Sequence, residues 1–118
     1  MKKELPVFSA WLEVTGVILE RAGRFPKSLR PTIGNRLIDR ALEVLEHLVV
    51  LRYTRDREPA FRATNLTLEK IRLLVRVSFE RRLLSGKQYA ALAADIDACG
   101  RMLGGWRRTH QKQERTQR

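Results

Sequence analysis

A single cysteine, Cys99, stands in 118 residues, so no internal disulfide can brace the chain. Its place on an apolar helical stripe reads it as a small buried hydrophobe rather than a nucleophile. The two histidines, His47 and His110, lie far apart in sequence, and no cluster of His, Cys, Asp or Glu has metal-ligand spacing. The glycines are equally unhelpful for chemistry: Gly34 is isolated, and Gly104–Gly105 is no phosphate-binding fingerprint. A general base needs a positioned partner, and His47 has none in sequence, so it reads as a surface histidine on a helix edge. The expectation is a non-enzyme with no metal, no cofactor and no catalytic residue. No apolar run approaches the ~20 residues of a membrane span, and the opening "MKKELPVF" lacks the apolar core of a signal peptide. A cytoplasmic protein with no membrane partner is expected, which leaves the sequon at Asn65 without meaning.

Acidic residues are also scarce. Thirteen stand against 24 lysines and arginines, a formal charge of +11, and that surplus opposes compaction unless an outside partner neutralises it. Nucleic acid leads, because phosphates shed condensed counterions when arginine and lysine replace them. With 43% hydrophobic and 31% charged residues the chain can still fold, and its length suits one domain.

Four helical segments emerge and nothing reads as a strand. The first runs from about Leu5 to Arg21 on Phe8, Leu12, Thr15 and Leu19, widened by Trp11, Val14 and Ile18; Gly23 is its expected C-cap, and Pro26 keeps Phe25 from helical geometry. The second starts between Lys27 and Pro31 and ends about Thr54, with Pro31 in its first turn. Its core face runs from Ile33 to Val49. Arg36, Arg40 and His47 share one edge of the polar half, while Asp39 and Glu46 take the other. The third gathers pace by Asn65 or Thr67 and ends near Leu84, with residues 59 to 65 left open between helix and loop.

That third helix carries two apolar stripes. Leu68, Ile71, Val75 and Phe79 form one; Leu66, Leu73, Val77 and Leu84 form the other, on the opposite side. Since every helix of a four-helix monomer has an outside, the second stripe is expected to meet another subunit. Between the stripes Glu69, Arg72, Arg76 and Glu80 are spaced for pairing along the helix. The fourth helix is announced by a capping box, Ser85 with Gln88, and followed by a heptad-like seam of Tyr89, Leu92, Ile96, Cys99, Leu103 and Trp106. Short connections predict an antiparallel up-and-down four-helix bundle over residues 1–108, with a basic, disordered tail over 109–118.

Basic residues are the stronger functional signal. Arg24, Lys27, Arg30, Arg36 and Arg40 surround the start of the second helix, whose free amides are themselves electropositive. Cations there cost the helix about 0.3–1 kcal/mol each, a cost that a docked anion would turn into affinity. Trp11, Phe8, Tyr89 and Trp106 all lie on apolar stripes, so binding should be led by the nucleic-acid backbone rather than by base stacking.

Two long stretches, "WLEVTGVILERAGRFPKSLRPTIGNRLIDRALEVLEHLVVLRYTRDR" and "LEKIRLLVRVSFERRLLSGKQYAALAADIDACGRMLGGWRR", resemble the accessory variability determinant (Avd) family of diversity-generating retroelements. That family is similar in turn to the four-helix-bundle proteins of ribosomal RNA intervening sequences. The most telling pieces are "FPKSLR" and "GRMLGGW". The resemblance implies a basic, non-enzymatic bundle protein that forms a ring-like homopentamer and associates with a reverse transcriptase and its template RNA or cDNA, supporting mutagenic retrohoming. Carried onto this chain it implies a binding surface at Lys27, Arg30, Arg36 and Arg40, extended to Arg72, Arg76, Arg101, Arg107 and Arg108. Two alternatives stand beside it: a protein adaptor whose basic face docks an acidic polypeptide, and an RNA-processing enzyme using His47 or a carboxylate.

Overall fold

Apolar residues that recur every three or four positions wind the chain into four helices, because only that period collects them on one face. A computed structural model describes residues 5–117; Met1–Glu4 and Arg118, the first residues of the expected domain and the last of the expected tail, lie outside them. Helix α1 is Pro6–Gly23, α2 is Asn35–Tyr53, α3 is Glu58–Glu80 and α4 is Gly86–Gln117, with a five-residue π-helical turn, Arg30–Gly34, leading into α2. Each helix packs on its sequence neighbours, and α1 closes against α4. The result is the antiparallel up-and-down four-helix bundle that the short connections predict, about 53 Å long and 25 Å across.

The core is one cluster drawn from all four helices. Trp11 is its largest fully buried side chain on α1, and its indole N–H donates to the Ala41 carbonyl of α2 at 2.8 Å. That bond satisfies the one polar atom of a side chain otherwise chosen for its apolar bulk. Phe61, Ile71 and Val75 of α3 meet Ile96, Cys99 and Leu103 of α4 in the same cluster. Burial, with Asp95 adding to it, pushes the Cys99 thiol up to about 11, so it stays a protonated, inert core residue.

Several boundaries differ from the sequence expectation, each for a local reason. Gly23 is the last helical residue of α1 and Arg24 caps it in ordinary right-handed geometry; no described glycine takes a positive φ. Gly34 is closely packed, but a Cβ there would make only ordinary contacts, 3.5 Å from the Ala22 carbonyl and 3.6 Å from the Phe25 ring. Helix α3 begins at Glu58, with Pro59 in the first turn where its missing N–H costs nothing.

At its other end α3 stops at Glu80, four residues early. Arg82 adopts φ 63°, and the Arg82 and Leu83 amides bond back to the Phe79 and Ser78 carbonyls at 2.9 and 2.8 Å. These two bonds make a Schellman turn with arginine where glycine is usual. The turn redirects Leu84 into the core, where it is only 4% exposed, so Leu84 leaves the outer stripe in which the spacing placed it. The capping box at the next helix start forms as expected: Ser85 N–H to Gln88 Oε1 at 3.0 Å, and Gln88 N–H to Ser85 Oγ at 3.1 Å.

Residues 109–117 are helical, not a frayed tail. The first turn of α3 explains the extension. Glu58 receives Arg107 Nε at 2.9 Å and Gln111 Nε2 at 3.5 Å, and the ring of Phe61 meets Trp106 edge-on at 5.4 Å and His110 at 6.0 Å. His110 is buried there, with Nε2 3.3 Å from Glu114.

Candidate nucleic-acid interface

Up-and-down connectivity brings the C-terminus of α1, the N-terminus of α2, the C-terminus of α3 and the N-terminus of α4 to one end of the bundle. Packing confirms the junctions. Gly34 sits against Ala22 and Phe25; Leu29, Thr32, Ile33 and Arg36 line one groove with Leu74, Val77, Arg81 and Leu83; and Phe79, Arg82, Ser85, Gly86 and Gln88 line a second hollow.

At this end six cations, Lys27, Arg30, Arg36, Arg81, Arg82 and Lys87, are exposed and have no carboxylate partner among the described residues. Arg30 is steered by its Nε, which donates to the Phe25 carbonyl at 2.8 Å and leaves the two terminal nitrogens outward. The π-helical turn begins here without a side-chain cap and without an acid in its first turn; its Arg30 and Gly34 amides donate to the Pro26 and Leu29 carbonyls, at 3.2 and 3.1 Å, and Pro31 has none to offer. Arg36 and Arg81 line the same groove as the apolar side chains of Leu29, Ile33, Leu74 and Val77.

The other cations nominated from sequence divide by what they touch. Arg24 pairs with Glu20 at 3.2 Å on an exposed flank. Arg40 donates to Glu43 at 2.8 Å, and this bond holds the Glu43 carboxyl below its ordinary value. Arg72 is shared between Glu69 and Asp97, the latter at 3.1 Å, and Gly100 leaves the room its guanidinium needs. Arg76 pairs with Glu80 at 3.1 Å. Arg107 lies at the far end of the bundle, clamped to Glu58; hydrogen bonding from Arg107 lowers the Glu58 carboxyl and raises the arginine in turn. Arg101 and Arg108 are exposed on α4, away from the cationic end.

Of the cations gathered at this end, the sequence nominates Lys27, Arg30 and Arg36 and omits Arg81, Arg82 and Lys87. The signal was present in "ERRLLSGK": two arginines and a lysine around a helix break, with Glu80 already matched to Arg76. Only the topology shows that this break lies beside the start of α2.

His47 has no catalytic geometry. Its Nε2 lies 3.3 Å from the Thr67 hydroxyl and 3.4 Å from Glu43 Oε1. A proton relay requires nucleophile and acid on different ring nitrogens, and here both face the same one. The group is a polar bridge between α2 and α3.

A basic four-helix bundle with these residues at its turns is matched by a family model described as bAvd-like, over residues 13–110. The chain belongs to that family. The match runs from α1 through His110 and so covers most of this bAvd-like protein, including the whole cationic end. No curated protein matches the chain. Membership suggests an accessory role in diversity-generating retroelements, in a family of accessory proteins rather than known catalysts. Among the described residues no helix is long and apolar enough to cross a membrane.

Proposed function

We propose that this protein is a non-catalytic, cytoplasmic accessory subunit of a diversity-generating retroelement, binding the reverse transcriptase and its template RNA or cDNA as a homo-oligomer. The carrying observation is the group of unpartnered cations at one end of the bundle, Lys27, Arg30, Arg36, Arg81, Arg82 and Lys87. Arg40, Arg62, Arg72, Arg76 and Arg107 on the flanks and at the far end are matched with carboxylates, whereas these six, gathered at one end, have no such partner among the described residues. Phosphate backbone is the ligand such a surface favours, since each contact releases counterions and needs no base-specific geometry.

The oligomeric part of the reading rests on α3. Leu66 is 58% exposed, Leu73 62% and Val77 37%, along one outward line that the bundle leaves uncovered. Such a stripe marks an interface. On the resemblance to the Avd family we put its copy number at five.

A second reading, docking of an acidic polypeptide, is favoured by the apolar side chains that line one groove with Arg36 and Arg81. One titration separates the two. Labelled single-stranded RNA and the reverse transcriptase are each added to the purified protein, with Arg36→Glu/Arg81→Glu as the comparison. Loss of RNA binding with transcriptase binding intact supports the nucleic-acid interface. RNA binding untouched by both reversals refutes it.

A further inference from the structure

The outward faces of α2 and α3 carry opposite, unspent charges between exposed apolar residues. On α2, Asp39, Leu42, Glu46, Val49 and Tyr53 recur at helical spacing on the side away from the core, all exposed. Neither Asp39 nor Glu46 has a cationic partner among the described residues, although the chain holds almost twice as many cations as acids. On α3, Leu66, Lys70, Leu73 and Val77 make the corresponding line, and Lys70 has no carboxylate partner. This separation is unlike the flank of α3 that faces α4, where Arg72 and Arg76 are matched by Glu69, Asp97 and Glu80.

Height along the bundle relates the two lines. Thr67 Oγ1 reaches Glu43 at 3.4 Å and His47 at 3.3 Å, which sets position 67 of α3 level with about position 45 of the antiparallel α2. Three residues further along α3, Lys70 is level with Leu42, so Asp39 and Glu46 lie roughly 5 Å to either side of it along the axis. Leu73 falls within about a turn of Leu42, and Leu66 within about a turn of Val49. A rotation about an axis parallel to the bundle preserves these heights.

We infer that a second copy of this chain covers the α3 stripe with its α2 face, head to tail, seating Lys70 of one copy between Asp39 and Glu46 of the next and packing Leu66 and Leu73 against Val49 and Leu42. This rests on the oligomeric reading above and supplies its missing half, the surface that the α3 stripe meets. The two faces belong to neighbouring corners of the bundle rather than to opposite sides. Each repeat of the contact therefore turns the chain of copies, the geometry a heterologous contact needs if it is to close on itself.

The test is charge exchange at the pair, read by sedimentation velocity and light scattering over a dilution series. Wild type should run as one multi-copy species. Glu46→Lys and Lys70→Glu should each weaken assembly by about tenfold or more, since each sets like charges against one another, while the double variant should regain most of the loss. Singles that assemble like wild type, or a double as weak as its singles, overturn the pairing and leave oligomerisation standing. A wild-type monomer at all concentrations overturns both. RNA binding, measured on the same variants, tests the cationic end separately.

Discussion

Salt dependence puts the cationic end under quantitative strain. Six exposed cations lack a carboxylate partner there. If each meets one phosphate of a single-stranded RNA, the logarithm of affinity falls against the logarithm of salt with a slope of about −0.7 per contact, or about −4 in all. A rise from about 50 to about 200 mM salt then costs roughly three-hundredfold in affinity. Had all ten cations nominated from sequence been available, the slope would be about −7 and the loss roughly ten-thousandfold. Of those ten, Arg24, Arg40, Arg72, Arg76 and Arg107 are paired with carboxylates, and Arg101 and Arg108 lie away from this end, so none of these seven enters the count of six. Fluorescence anisotropy with a short single-stranded RNA, repeated over the salt range, measures the slope per protomer. Arg36→Glu/Arg81→Glu should bring it to about −3, while Arg72→Gln/Arg76→Gln should leave it near −4. A wild-type slope near −7, a slope near zero, or one that ignores the Arg36 and Arg81 reversals would refute the assignment of the site.

Four further outcomes follow from particular contacts. Trp11→Phe removes the bond to Ala41 and opens roughly 40 Å³, so urea unfolding followed by circular dichroism should show about 2 kcal/mol lost at unchanged m-value. Arg82→Gly relieves the left-handed φ of 63° and should raise stability by about 1 kcal/mol while weakening RNA binding. The Glu58 carboxyl is held below its ordinary value of 4.5 by Arg107, so its stabilising contribution is complete above that value and fades as pH falls through the lowered one. Arg107→Gln should accordingly flatten the acid limb of a stability-versus-pH curve. Cys99, with its thiol pushed up to about 11 inside the core, should resist alkylation at pH 8 in the native protein and react fully once unfolded.

Helix periodicity carried most of the fold into view. The seam through Leu92, Ile96, Cys99 and Leu103, the capping box at Ser85 and the doubled apolar face of α3 are local patterns, and local patterns survive in a bare sequence. Two boundaries escape the sequence for one reason. Residues 59 to 65 stand open between helix and loop, and residues 109–117 read as tail, yet each segment supports the other: Glu58 and Phe61 hold Arg107 and His110, and neither partner is informative alone. Leu84 slipped because a left-handed arginine is not a sequence signal. The cationic end was half legible. Lys27, Arg30 and Arg36 stood out beside a helix start, whereas Arg81, Arg82 and Lys87 join them only through the antiparallel return of the chain.

Helix α4 has 32 residues against 18 in α1, a difference of about 20 Å in rise. Among the described residues, its last turns therefore outrun the partner on one side and lean on the opening turn of α3 and the loop before it. Local opening should start there and travel inward, with amide hydrogen exchange fastest beyond His110 and slowest near Ile96. The far extremity can thus breathe, or be remodelled by a bound partner, while the interior around Ile96 holds its packing.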